Sequence, residues 1–470
     1  MPTPSISGSG DLTFADYAGA SVRTLEQSWY DAGKWHLCQL PECRRTNSDW
    51  GAGALTYTLF LRWQTTHEAD LEPYFAGLLK TFVRYDRLCS DASCTQWSDI
   101  PAWDAVAALR DYEAGGEDVD ALTVARSAFD AVDLSPAYAR GACPSILYQQ
   151  PFGRENKLKT LETDSNLIKA ALLLYRFTGN GEYLEKAIGR YADVRRYFLD
   201  PQIPLYSVYV FDDGQTCVQL PHRFFASVNG NMIDAGLRLY DATDEKSYLQ
   251  DAVQTAQAVD AHLSDERGIF VDQQAENDIA EPLIEAMFEL ATQEGQPFAR
   301  DWILRNAEAA VSARTPDGNF GRFFDGPPPA GTVTAWQTNG GFALMIAAAA
   351  LEPKAVPATD TWRGAKFVAR EVGLLPAAIT FEGTSIALIG AIGDRCCELG
   401  HARVFVDGAE TFDRRGIWQN KSSSSRRLKE SVLFAWRWPR AGTHVVELQP
   451  GAPNAKEGGS YLHLSGYVVK

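Results

Sequence analysis

The chain has 470 residues, 45% of them hydrophobic and 11% aromatic, with a formal net charge of −16 and a pI near 5.0. That length exceeds one ordinary core, so two domains, or one large multi-helix toroid plus a module, is the starting expectation. The acidity argues against a nucleic-acid or anionic-membrane surface, and no apolar run reaches the length of a membrane span, the longest being 342–351.

The polar start after Met1, PTPSISGSGD, carries no apolar signal core and reads as the beginning of a mature chain. Eight cysteines follow. Cys38 and Cys43 form one close pair and Cys89 and Cys94 another, each bracketing a polar loop, with Cys143 and Cys217 left as possible partners. C-x4-C spacings without nearby His fit zinc poorly, so loop-stapling disulfides and a secreted protein with no metal or cofactor are expected. Cys396 and Cys397 are adjacent and read as buried thiols or a vicinal bridge.

A repeat organises the middle of the chain. Residues 174–187, LYRFTGNGEYLEKA, recur as 239–252, LYDATDEKSYLQDA, and the same beat returns in degraded form around Trp63, Tyr112 and Leu290. Each unit is an apolar helix, a polar turn and an amphipathic helix. The first helices fall at 50–63, 103–112, 166–176, 231–240, 278–291 and 338–351; they are small-residue-rich and apolar on most faces, as helices buried on both sides should be. Their partners alternate apolar and charged positions near the 3.6 period, the sixth being the N-terminal SVRTLEQSWYDAG. Six inner and six outer helices give an (α/α)6 toroid over 1–352, closed by the first helix packing beside the last. Beyond it, 353–374 reads as a linker, and 375–470 breaks into short β-branched and aromatic runs such as SIALIGAIG and ESVLFAWRW, a small all-β sandwich expected as a separate module.

In such a toroid all inner helices run one way, so their N-termini and unpaired N–H groups converge on a single funnel. The residues there are Asp49 and Trp50; Asp99, Trp103 and Asp104; Glu162, Asp164 and Asn166; Asn229 and Asn231; Glu276, Asn277 and Asp278; and Trp336, Gln337 and Asn339. Helix capping explains about half of these positions. It does not explain the tryptophans beside the caps. Indoles stack on sugar faces while amides and carboxylates bond hydroxyls, so Trp50, Trp103, Trp336, Asn166, Asn229, Asn231 and Gln337 are expected to bind an oligo- or polysaccharide. Glycosidic cleavage needs one protonated and one ionised carboxyl group. The expected pair is Asp99 with Asp104, and Glu162, Asp164, Glu276 and Asp278 are the reserve acids. Five residues on a helix turn through about 140°, so this pair requires Asp99 to sit ahead of the helix proper. A polysaccharide lyase using His222, Arg223 and Asn229, or a glycan-binding protein without activity, are the competing readings.

The motif order resembles glycoside hydrolase family 76, the α-1,6-mannanases, over most of 15–350. SDIPAWDAVAALRDYE resembles the family's Asp-Asp, Trp-rich helix, TDSNLIKAALLLYRFTG its third inner helix, and SVNGNMIDAGLRLYDATD the fourth. The resemblance implies an (α/α)6 glycosidase and a mannan-like α-linked substrate. The family's catalytic pair is two consecutive aspartates, nucleophile then acid/base; Asp99 matches the first, Ile100 stands where the second would be, and Asp104 replaces a Trp. FEGTSIALIG followed by ARVFVDG resembles jelly-roll modules appended to secreted glycosidases.

Overall fold

A computed structural model describes residues 12–42, 44, 46, 50–79, 89–90, 93–115, 118–154, 156–220, 224–271, 279–331, 333–356, 361–392, 401–411, 417–418, 428–450 and 461–470. Its helices are α1 (Phe14–Trp29), α2 (Trp50–Thr66), α3 (Glu72–Leu79), α4 (Asp99–Ala114), α5 (Val119–Asp133), α6 (Leu161–Thr178), α7 (Gly181–Phe198), α8 (Ala226–Thr243), α9 (Lys246–His262), α10 (Glu281–Thr292), α11 (Pro297–Ser312) and α12 (Ala335–Leu351). Even-numbered helices pack in the closed order α2, α4, α6, α8, α10, α12 and back to α2. Each is covered by the odd-numbered helix that follows it, and α1 covers α12. This is the (α/α)6 toroid expected from the repeat.

The repeated turn shows why the sequence folds this way. At the end of α6 the Thr178 hydroxyl donates to the Leu174 carbonyl, Gly179 takes the left-handed conformation at φ 68°, and Asn180 caps α7 through the Glu182 amide. At the end of α8, Thr243 donates to Leu239 in the same way and Asp244 takes the left-handed position at φ 58°. Glycine adopts that region at little cost, and aspartate is among the few other residues that visit it. Both turns therefore stop one helix and reverse the chain within four residues.

The toroid's two ends meet. Thr13 bridges Ala355, the Phe14 amide donates to the Lys354 carbonyl at 3.2 Å, and the Val356 amide donates to the Leu12 carbonyl at 2.6 Å. A hairpin, β1 (Tyr30–Asp31) and β2 (Lys34–Trp35), follows α1, and a small antiparallel sheet, β3 (Leu158–Thr160), β4 (Tyr209–Asp212) and β5 (Cys217–Gln219), links the connections ahead of α6 and α8. Two disulfides are formed, Cys89–Cys94, the close pair, and Cys143–Cys217, the two left as possible partners. Cys43, Cys396 and Cys397 lie outside the described residues.

The C-terminal strands are β6 (Lys366–Leu374), β7 (Ala377–Ile392), β8 (His401–Val406), β9 (Ala409–Glu410), β10 (Ile417–Trp418), β11 (Leu428–Pro450) and β12 (Tyr461–Val469). They pair antiparallel in the order β10-β8-β11-β7-β12-β6, with β9 on β8. The long strands β7 and β11 serve both halves. Their N- and C-terminal parts take different neighbours on either side of Gly383 and of the register shift between Arg437 and Gly442. β6 lies inside the stretch read as a linker: its charged residues hid a strand that pairs along β12.

This β unit is welded to the toroid. Val271 and Phe323, from toroid connections, are buried in the same apolar cluster as Ile379, Ile386 and Phe434. Asp325, ahead of α12, pairs with Arg267 at 2.6 Å and with Arg437 of β11 at 2.5 Å, and its carbonyl accepts from the Trp362 indole.

Candidate functional site

The inner helices present their N-termini on one face, and the connections from outer to inner helices wall it. Ahead of α6, the fully buried Lys159 ammonium donates to the Arg140 and Ile146 carbonyls at 2.6 and 2.7 Å, and burial lowers its pKa to about 8. Asp212 of β4 accepts from the Ala142 and Cys143 amides at 3.0 and 3.1 Å. Burial alone would raise this carboxyl; the converging backbone donors hold it below its usual range. With the Cys143–Cys217 bridge, these bonds fix two walls of the mouth to each other.

The N-termini of α4 and α6 are clamped together. Ser98 Oγ lies 2.6 Å from Thr163 Oγ1 and donates to the Tyr148 carbonyl at 2.8 Å, while the Ser98 amide donates to Gln149. Asp99 immediately follows Ser98, and Glu162 immediately precedes Thr163. The fold thus sets these two carboxylates on adjacent helix ends. Asp99 is partly exposed, and Glu162 is 8% exposed with the Ser227 hydroxyl donating to its Oε1 at 2.6 Å.

Helical rotation shows which carboxylates face the axis. Arg110 of α4, Lys169 of α6, Asp234 of α8 and Glu285 of α10 meet in one buried ion cluster, so they mark the inward stripe of their helices. Asp99 is about 20° from Arg110 in rotation, and Trp103, Glu162 and Ser227 each stand one heptad, about 20°, from the ion on their own helix. Asp104 is fully buried and about 140° from Asp99, on the side of α4 that carries Asp111. The condition for pairing Asp99 with Asp104 is not met, because Asp99 is the first residue of the helix rather than part of the incoming loop. Asp164 is turned about 200° from Glu162 and points outward. There it accepts the Leu147 amide at 3.1 Å and pairs with Arg190, which also holds Asp133. Burial nonetheless raises the Asp164 pKa, with Arg190 opposing.

The amides and indoles divide similarly. Asn229 spends both ends of its side chain on backbone, accepting from the Tyr206 amide and donating to the Tyr206 and Phe225 carbonyls. Gln337 completes a capping box with Thr334 at the start of α12. Asn166 and Asn231 are bonded to each other at 3.3 Å below the mouth, and Asn231 accepts from the Tyr57 hydroxyl at 2.9 Å. Trp103 is 3% exposed and meets Tyr57 edge-on at 5.7 Å. Trp336 is 6% exposed and lies so close to Gly51 that a Cβ there would sit 2.2 Å from the indole. Neither indole offers an open face for a sugar. Asp49, Glu276, Asn277, Asp278, His222, Arg223 and the Trp50 side chain lie outside the described residues, so the lyase reading gains nothing here.

Three features are not apparent in the sequence. Trp97, two residues ahead of Asp99 and outside the helix proper, is 40% exposed, an open aromatic beside the mouth. Tyr138 is the second: its hydroxyl donates to the Gln96 carbonyl, and burial, reinforced by the charge of Asp99, raises its pKa. The ion cluster below was also unforeseen. Its bonds run from Arg110 to Glu285, from Lys169 to Glu285 at 2.9 Å and Asp234 at 3.2 Å, and from Arg238 to Asp234 at 2.9 Å. Burial opposes ionisation of Asp234 and Glu285, but the surrounding cations hold both below the usual carboxylate range. Tyr57 is stacked beneath Arg110 at 4.1 Å and Lys169 at 4.8 Å. Among the described residues the cluster fills the space on the axis between α4, α6, α8 and α10.

A family model described as glycosyl hydrolase family 76 matches residues 18–321. No curated protein matches the chain by sequence. Among solved structures, an inactive variant of the α-1,6-mannanase GH76A of Salegentibacter sp. HEL1_6, in complex with α-1,6-mannotetrose, superposes with a TM-score of 0.62 at 21% identity, covering 72% of this chain and 99% of that one. A family 76 glycoside hydrolase from a bovine Bacteroides thetaiotaomicron strain gives 0.58 at 16% identity, covering 72% and 77%. A family 76 mannosidase from Bacteroides thetaiotaomicron VPI-5482 gives 0.59 at 14%, covering 72% and 98%. At these identities the likeness is one of fold.

Proposed function

Because the chain belongs to glycosyl hydrolase family 76, and so is a glycosidase, we propose that it hydrolyses an α-linked mannan at the inner-helix mouth, with Asp99 and Glu162 as the working carboxyl pair. The observation that carries the pairing is the Ser98–Thr163 clamp, which joins the two helix ends bearing these groups. The inactive variant of the Salegentibacter mannanase has two consecutive aspartates replaced. Here Asp99 is followed by Ile100, so the second carboxyl group has to come from another helix.

Asp99, in the first turn of α4, has its negative charge favoured by the helix dipole and acts as the ionised carboxylate. Glu162, nearly enclosed, supplies the proton to the departing glycosidic oxygen and then takes one from the incoming water. Trp97 offers the sugar platform, and Asn166 and Asn231 form the polar floor. The substrate class rests on the mannanase structures that share the fold. Export to the extracellular space is supported by the two disulfides; among the described residues no helix is long and apolar enough to cross a membrane.

The test is turnover on α-1,6-mannan, followed by chromatography of the released oligosaccharides. Asp99→Asn and Glu162→Gln are each expected to lower kcat by at least about 100-fold, the lower end of what positioned acid/base groups contribute. Asp104→Asn and Asp164→Asn, folded to the same extent, should retain kcat within about tenfold. Near-normal turnover by Glu162→Gln would remove it from the pair, and a folded wild-type chain inert on α-mannan would remove the substrate.

A further inference from the structure

A large cavity lies at the other end of the toroid. About 540 Å3 in volume, it is lined by the C-terminal turns of α2, α4, α6, α8 and α10. That size falls within the range of small-molecule sites, about 300–1,000 Å3. The axial ion cluster forms its floor, separating it from the mouth, with Arg238 and Glu289 belonging to both.

We propose that this cavity is a second, non-catalytic oligosaccharide site, which holds a non-reacting stretch of the same neutral polysaccharide. The sugar class rests on the glycosidase reading; the existence of a site rests on the lining itself. Gln64 and Gln293 contribute amides, Tyr175 an aromatic ring, and Glu113, Asp241 and Arg176 the charged rim. Phe60, Leu172 and Leu237 supply apolar wall. Aromatic ring, amides and carboxylates over an apolar wall are the chemistry that packs against a pyranose face and bonds its hydroxyls.

Three further observations favour a neutral polyol over an ion. Arg176 is paired with Glu113 at 2.8 Å, and Arg238 with Asp234 at 2.9 Å, so neither guanidinium is left over for an anion. Glu289, pushed up to about 8 by burial, is mostly neutral at pH 7, leaving two carboxylates against two guanidiniums in the lining. Gln64 keeps a buried Oε1 that accepts no hydrogen bond among the described residues, a vacancy that a hydroxyl donor fills. The helix ends do not compete for the ligand, since Thr178, Thr243 and Thr292 already donate to the carbonyls of Leu174, Leu239 and Phe288.

The experiment uses the full chain carrying Asp99→Asn, titrated calorimetrically with α-1,6-mannotriose, alone and combined with Tyr175→Ala or Gln293→Ala. Two binding events are expected, one of which disappears with either far-face substitution. In the otherwise wild-type chain the same substitutions should leave mannotriose turnover unchanged. KM for the polymer should rise about tenfold, a modest share of the avidity that linked sites can add. Gln293 is exposed, so its variant reports on the site even if Tyr175→Ala perturbs packing. A single binding event indifferent to both substitutions overturns the proposal. Turnover reads the catalytic assignment and the number of binding events reads the second site, so either can fail without the other.

Discussion

Ser98 and Thr163 are small and buried, and their 2.6 Å contact holds the helix ends that carry Asp99 and Glu162 side by side. No spacing rule could have shown it, because the residues are 65 positions apart and their bond depends on how two helices are laid side by side. The place of Asp99 at a helix start was legible in the sequence. The nearness of Glu162 was not, since the linear chain offers Asp104 five residues away while the ring sets Glu162 on the next helix. The tryptophans show a related point: sequence marks an indole but not its exposure, and Trp103 and Trp336 are buried while Trp97 is open. If Trp97 is the sugar platform, Trp97→Ala should raise KM for manno-oligosaccharides by about fivefold at unchanged kcat. That is the effect of losing about 1 kcal/mol of aromatic stacking, measured by steady-state kinetics.

At the scale of elements, the repeat fixed the order, length and hierarchy of the helices because each was apolar in the right places. All six inner helices expected from the sequence are present. The ion cluster escaped notice for the same reason. Lys169 sits in an apolar run, and Glu285 in another, where an isolated charge reads as a surface residue until the facing helices are known. The missed signal is a stride of seven: Glu162, Lys169 and Arg176 on α6, and Ser227, Asp234 and Asp241 on α8, descend from mouth to far face. Removing the charge of Glu285 leaves Arg110 and Lys169 short of a buried counter-ion. Glu285→Gln is therefore expected to cost about 3–5 kcal/mol in chemical denaturation, the range for breaking a buried pair from one side.

At the scale of the whole molecule, the toroid and the β unit were both legible, but the joint between them was not. Arg267, Asp325 and Arg437 come from three separate parts of the chain, and β6 hid behind its charges. Asp265 stands beside this joint, and burial together with the charge of Asp325 raises its pKa to about 7. An unfolded aspartate titrates near 4, so the folded chain retains a proton that the unfolded chain releases. The associated stability is complete below about pH 4 and is lost as pH rises through 7. Asp265→Asn should consequently match wild type at pH 4 and exceed it by up to about 4 kcal/mol at pH 8, measured by denaturation at each pH. Its Oδ1 alone accepts the Arg267 and Ile269 amides, which an asparagine oxygen can also do. The closure of the ring has a consequence in time as well as in space. The apolar side of α1, with Phe14, Tyr17, Leu25 and Trp29, finds its cover on α12, more than 300 residues downstream. A chain emerging from its N-terminus must therefore keep that surface from aggregating until the last inner helix has been delivered, which makes shielding of the nascent or translocating segment part of what this architecture demands of its host.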